Sequence, residues 1–94
     1  MPVIIHDENG VAVSRSKNLR GVLTFARRNP VKRASVYTTG DAGGGHIMFH
    51  FAGGATCRAE FASFDVACKW VEARRFWALR LAGNTSTLRD YVAI

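Results

Sequence analysis

His46 and His50 stand four positions apart, a spacing that on a helix turns both imidazoles to one face, where they could share a metal ion. The surrounding run His46-Ile47-Met48-Phe49-His50-Phe51 alternates between apolar and other residues and is flanked by glycines, which reads as a strand. At about 3.3 Å per residue the two rings then lie roughly 13 Å apart, too far to share an ion whose ligand bonds are about 2 Å long. Cys57 is the one nucleophile to consider beside a histidine, because thiol attack needs a base within about 3 Å. Strand parity puts Cys57 on the face opposite His50, so the thiol is expected to be buried and inert, as is that of Cys68. Gly40-Asp41-Ala42-Gly43-Gly44-Gly45 lacks the Gly-Lys-Ser/Thr ending of a phosphate loop and joins two strands, so it reads as a hairpin loop. The few carboxylates are not paired along any one element at general acid/base spacing. No catalytic residue, metal or cofactor is expected, and the chain reads as a binding protein and not an enzyme.

Charge is more informative. Thirteen Lys and Arg against seven Asp and Glu give a net charge of +6, which excludes an acidic nucleic-acid mimic and favours anionic partners. Between Asn9 and Gly40 there is no acid, whereas Arg15, Lys17, Arg20, Arg27, Arg28, Lys32 and Arg33 all fall there. Such a surface can sit against phosphates and gain affinity by counterion release; the plainer alternative is a solvated polar face. The absence of acids deprives these cations of partners along their own helix. Specific base reading has less support. No helix-turn-helix or zinc-finger spacing is present, and Phe49 and Phe51 are expected in the core, where a stacking sheet would expose them.

A second surface comes from Val66, Trp70, Ala73 and Trp77, spaced four, three and four, with Arg74 alongside. On one continuous helix they form a stripe separate from that of Phe64, Ala67, Cys68 and Val71. Two tryptophans facing away from the sheet would need a cover, either the chain's own Leu79, Leu81, Leu88, Tyr91 and Val92 or a partner protein such as a second copy in a homodimer.

The elements that position these residues follow from pattern. Val3-Ile4-Ile5-His6 and Val11-Ala12-Val13 flank an Asn9-Gly10 turn, and a three-residue loop would set Ile5 opposite Val13. A helix capped by Ser14 or Ser16 is expected over Lys17 to Arg28, stopped at Asn29-Pro30, with Leu19, Val22, Leu23 and Ala26 on its apolar face. Gly21 in its middle costs about 1 kcal/mol relative to alanine. Strands are expected at Ala34–Thr39, His46–Ala52 and Thr56–Phe61. A Gly53–Ala55 loop would put Ile47, Phe49 and Phe51 on one face with Cys57, Ala59 and Phe61. Ser63 caps a second helix reaching Phe76 or Trp77, with Asp65 in its first turn. Leu88 to Ile94 reads as a strand, a helical turn or a frayed tail. The expected fold is α+β: hairpin, helix, three-stranded antiparallel meander, helix, with both helices on one sheet face. Residues 1–94 form one domain, with 79–94 a flexible or covering segment.

At 94 residues a fold buries roughly 60–65% of the surface its unfolded chain exposes, so a stabilising partner is a natural expectation. Met1 to Asp7 lacks the cationic start and long apolar run of a secretory signal, and no stretch approaches the roughly 20 apolar residues that span a bilayer. A cytoplasmic protein without membrane attachment is expected.

Lys17-Asn18-Leu19-Arg20-Gly21, the run Gly54-Ala55-Thr56-Cys57-Arg58 leading into Phe61-Ala62-Ser63-Phe64, and Arg74-Arg75-Phe76-Trp77 resemble segments of short proteins encoded by phages and integrated mobile elements. Proteins of this size and setting include anti-CRISPR inhibitors of bacterial defence systems, which generally bind and do not catalyse. Many of those are acidic, and the +6 charge departs from that pattern. The expected function is an accessory protein that engages nucleic acid or a nucleoprotein complex through its basic helix; the alternative is an anti-CRISPR-like inhibitor directed at a defence-system protein.

Overall fold

Strands β1 (Val3–His6) and β2 (Ala12–Ser16) form the first hairpin in a computed structural model that describes residues 2–40 and 43–94. Its turn is built by Asp7, whose Oδ1 accepts from the backbone N–H groups of Asn9 and Val11 at 2.9 Å each, while Gly10 takes the left-handed conformation at φ 81°. The pairing expected for Ile5 is corrected: it faces Ser14, because the register shifts between Ile5 and His6 and bulges the strand at Val13. Val11 and Val13 consequently stand 59% and 51% exposed and do not join the core.

Helix α1 (Arg20–Ala26) is shorter than its amphipathic pattern predicts. Neither Ser14 nor Ser16 caps it: Asn18 Oδ1 accepts from Arg20 N at 3.0 Å, and Ser16 Oγ donates to the Asn18 carbonyl at 2.9 Å. A seven-residue helix has little stability of its own. It is held by burial of Val22 and by Phe25, which meets Phe51 edge-on at 4.8 Å. Gly21 has a packing reason, since a Cβ there would lie 1.9 Å from Ser16 Oγ and 2.5 Å from Ser16 Cβ.

Strands β3 (Val31–Thr39), β4 (Gly44–Phe51) and β5 (Thr56–Phe61) form the meander. Phe49 pairs with Cys57 and Ile47 with Ala59, which gives the expected facing with the register moved by two residues. The reason is that Ala55 joins the pairing through Phe51 N–H to its carbonyl at 2.9 Å, leaving Ala52 to Gly54 as the turn, with Gly53 and Gly54 at positive φ. Ser63 caps helix α2 (Phe64–Glu72), its side chain accepting from Val66 N at 3.1 Å, and Asp65 pairs with Lys69 at 3.0 Å. The helix ends at Glu72 and a 3-10 turn occupies Arg75–Trp77, so the expected continuous helix to residue 76 or 77 is broken in two.

The largest correction concerns the C-terminal segment. It is not a flexible tail: of the alternatives for Leu88 to Ile94 the strand is the one that forms, and β6 (Leu79–Asn84) and β7 (Leu88–Ala93) make a hairpin in which β7 pairs along β3 from Arg33–Val92 to Tyr37–Leu88. With β1 paired to β5, the result is one seven-stranded antiparallel sheet, ordered β2-β1-β5-β4-β3-β7-β6. The fold is therefore predominantly β, and not the α+β hairpin, helix, meander, helix layout that sequence pattern predicts. The alternating Leu79-Arg80-Leu81 run and the β-prone Tyr91-Val92 pair carried the strand signal, and β3, the first strand of the meander, has neighbours on both sides.

Both helices pack on one sheet face over a core centred on Phe49, Ile47, Val36, Ile5 and Val22. Gly45 marks the closest approach of sheet and helix, where a Cβ would lie 2.7 Å from Phe64 Cα and 2.8 Å from the Ser63 carbonyl oxygen. Those are backbone atoms, so Gly45→Ala is expected to destabilise by about 2–3 kcal/mol, lowering Tm by roughly 10 °C or more. Gly83→Ala, where the nearest atom is Asp90 Cβ at 3.7 Å, is the control and should shift Tm little. Equal melting of both variants would disprove the close approach.

Candidate nucleic-acid interface

The link from β2 into α1 folds the basic segment around a concavity. Arg15 comes from β2, Arg20 opens α1, Arg27 caps its C-terminal end and Arg28 follows it; the four line a cleft of about 770 Å³ together with Asn18 and Thr24. None of the eleven lining residues is acidic. Among the described residues these arginines enter no ion pair, because the acids that form ion pairs do so elsewhere: Glu60 with Arg58 at 2.7 Å, Asp65 with Lys69 at 3.0 Å, Asp90 with Arg33 at 3.5 Å and Glu72 with Arg89 at 3.6 Å.

The other three basic residues singled out from the sequence lie outside the cleft. Lys17 is exposed in the link. Lys32 falls where the β3–β4 register shifts, and Arg33, beside it, is held by Asp90 on the sheet face away from the helices. Sequence reasoning missed Asn18, Ser16 and Gly21, which shape the link; the glycine within a helical pattern was the available signal.

The Val66, Trp70, Ala73, Trp77 stripe is not a single outward face. Trp70 and Trp77 pack edge-on against Phe49 with centroids 5.9 and 5.8 Å away and against each other at 5.6 Å, so both are half-buried in the chain's own core. The reason is the break after Glu72, which turns Trp77 back toward the sheet. The Arg74 guanidinium lies over the Trp70 ring, 4.4 Å from its centroid. Val66 and Ala73 remain exposed, and Phe76, at 74%, is the most exposed aromatic side chain. The tryptophans therefore do not form the open patch from which a homodimer was expected.

The remaining chemistry-bearing residues are spread out. His46 and His50 lie on one strand, and His50 is exposed on the face opposite buried Cys57. Burial pushes the Cys57 thiol up to about 11, which keeps it protonated. Both cysteines are free. Among the described residues no three His, Cys, Asp or Glu side chains group to hold a metal ion. Of the Gly40–Gly45 loop, Asp41 and Ala42 lie outside the described residues. Tyr91 donates its hydroxyl to the Glu72 carboxylate, tying β7 to α2, and burial followed by this bond raises its pKa. No helix among the described residues is long and apolar enough to cross a membrane.

The chain matches no protein-family model, no curated protein and no solved structure, so its function has to be read from these surfaces.

His46 supplies a pH test of the sheet. It stacks on Tyr37 at 5.0 Å and shares a hydrogen bond with Thr39 Oγ1 at 3.0 Å. Burial, and then the Arg58 charge, lower its pKa against a smaller opposing effect of Glu60. A folded-state pKa below the unfolded value of about 6.5 means that the unfolded chain binds the proton more readily. Its contribution is complete above that pH and lost as pH falls through the folded value. Tm measured from pH 8 to 5 should drop on the acid side, and His46→Gln should flatten that limb; an unchanged limb would remove His46 from the account.

Proposed function

We propose that this is a non-catalytic cytoplasmic protein that engages nucleic acid, free or within a nucleoprotein complex, through the arginine cleft of β2 and α1. The observation that carries this reading is the acid-free lining of that cleft by Arg15, Arg20, Arg27 and Arg28. Unpaired guanidiniums drawn together around a concavity repel one another unless an anion lies between them, and guanidinium forks match phosphate oxygens in geometry. Neutralising four phosphates gives a slope of log K against log salt near −3 to −4, a loss of roughly a hundredfold in affinity for each fourfold rise in salt.

Gel shifts across a salt series test the reading. Wild-type protein should bind at low salt with that slope, and the triple charge reversal Arg20→Glu, Arg27→Glu, Arg28→Glu should abolish binding while the melting curve stays cooperative. Binding that survives the reversal, or is absent at low salt, would overturn it.

A protein target in a bacterial defence system is the second reading, favoured by Phe76, which exposes an aromatic ring beside Arg75. Its expected outcome is capture of a defence effector complex that Phe76→Ser loses and the arginine reversals leave intact. Capture unaffected by Phe76→Ser would sink it.

A further inference from the structure

A second concavity of about 450 Å³ opens beside the arginine cleft, where Leu19 and Leu23 of the α1 region face Trp70 and Arg74. Asn18 and Arg20 line both concavities, so the two share a wall and one ligand can reach into each. Their linings differ. The first is ringed by guanidiniums; the second is apolar over most of its surface, counts Glu60 among its lining residues, and carries Arg74 over the Trp70 ring, whose centroid is 4.4 Å from the guanidinium carbon. Arg74 Nε is buried without a hydrogen-bond partner among the described residues.

We infer that the occupant of the pair is a single-stranded nucleic acid, its phosphates in the arginine cleft and one unstacked base in the apolar pocket against Arg74 and Trp70. The inference rests on the nucleic-acid reading of the cleft and adds strand type to it. Guanidinium planes and aromatic rings are the surfaces on which proteins stack splayed bases of any sequence. A volume of about 450 Å³ falls within the usual range for small-molecule pockets and is ample for one base. A duplex holds its bases paired and must give up stacking to fill the pocket, whereas a single strand offers a base at little expense. A free mononucleotide would fill the pocket but leave most of the four-arginine cleft without phosphates.

The test is fluorescence anisotropy at low salt with a labelled 12-mer as single-stranded DNA, as single-stranded RNA, as duplex, and as a single strand bearing abasic sites. The expected result is that intact single strands bind at least tenfold more tightly than the abasic strand or the duplex, the tighter of DNA and RNA identifying the natural strand. Arg74→Lys, which keeps the charge but loses the plane, should bring the intact strand down to the abasic level without changing duplex binding. In the unmodified protein, intact strands should quench the emission of the two tryptophans, Trp70 and Trp77, and abasic strands should not, a readout independent of how the variant folds. If intact, abasic and duplex forms bind alike, the base pocket is wrong and the arginine cleft stands. A nucleoside monophosphate that competes as well as the 12-mer also overturns the inference. If no form binds, the cleft reading fails as well.

Discussion

Phe49 is the point on which the rest of the structure rests. It lies at the middle of the central strand β4, fully buried, with its ring in edge contact with both Trp70 and Trp77 and stacked beside Phe51. Phe51 in turn carries Phe25, and so the orientation of α1. One side chain thus couples the sheet to α2, to the turn after it and, through its neighbour, to the helix that frames the arginine cleft. Replacing a buried phenylalanine by alanine costs about 3–5 kcal/mol, a large share of what so small a domain has to lose.

The electrostatic arrangement follows from where the acids are. Four of the seven form ion pairs on β5, β7 and α2, and two more, Asp7 and Glu8, lie in the β1–β2 turn. Exposed pairs of that kind contribute little stability, typically under about 1 kcal/mol. Their larger effect is on the field: they offset Arg33, Arg58, Lys69 and Arg89 on the sheet and α2, while the four arginines of the cleft have no acid beside them. The cleft is in this way the place where unpaired cations are drawn most closely together.

Sequence pattern revealed the parts whose signal is local. Alternation at Ile47, Phe49 and Phe51 set the face of β4, and the Ser63 hydroxyl announced the start of α2. The basic cluster was legible because acids are missing from residues 10 to 40, but its concavity was not. That depends on Ser16 folding back against Gly21, a contact between two small residues with no periodic signature. Other features failed because a distant or subtle interaction decided them. The three-residue loop between Asp7 and Val11 forms as Gly10 suggests, but a bulge at Val13 shifts the register beyond it and takes Val13 out of the core. Trp70 and Trp77 keep helical spacing although the helix ends between them. Leu79 to Ala93 alternates weakly, and its pairing with β3, more than fifty residues earlier in the chain, cannot be seen locally.

That long-range pairing governs the order in which the molecule can be completed. β3 lies between β4 and β7, and β7 is the last strand in chain order, so a meander formed before β7 docks would leave one long edge of β3 unpaired. An open edge of that kind is a template for strands of other molecules. Ser35 and Arg33, whose side chains later engage Asp90 of β7, keep polar groups on that edge in the interim. The same residues that fasten the finished sheet therefore also discourage the half-made one from joining its neighbours.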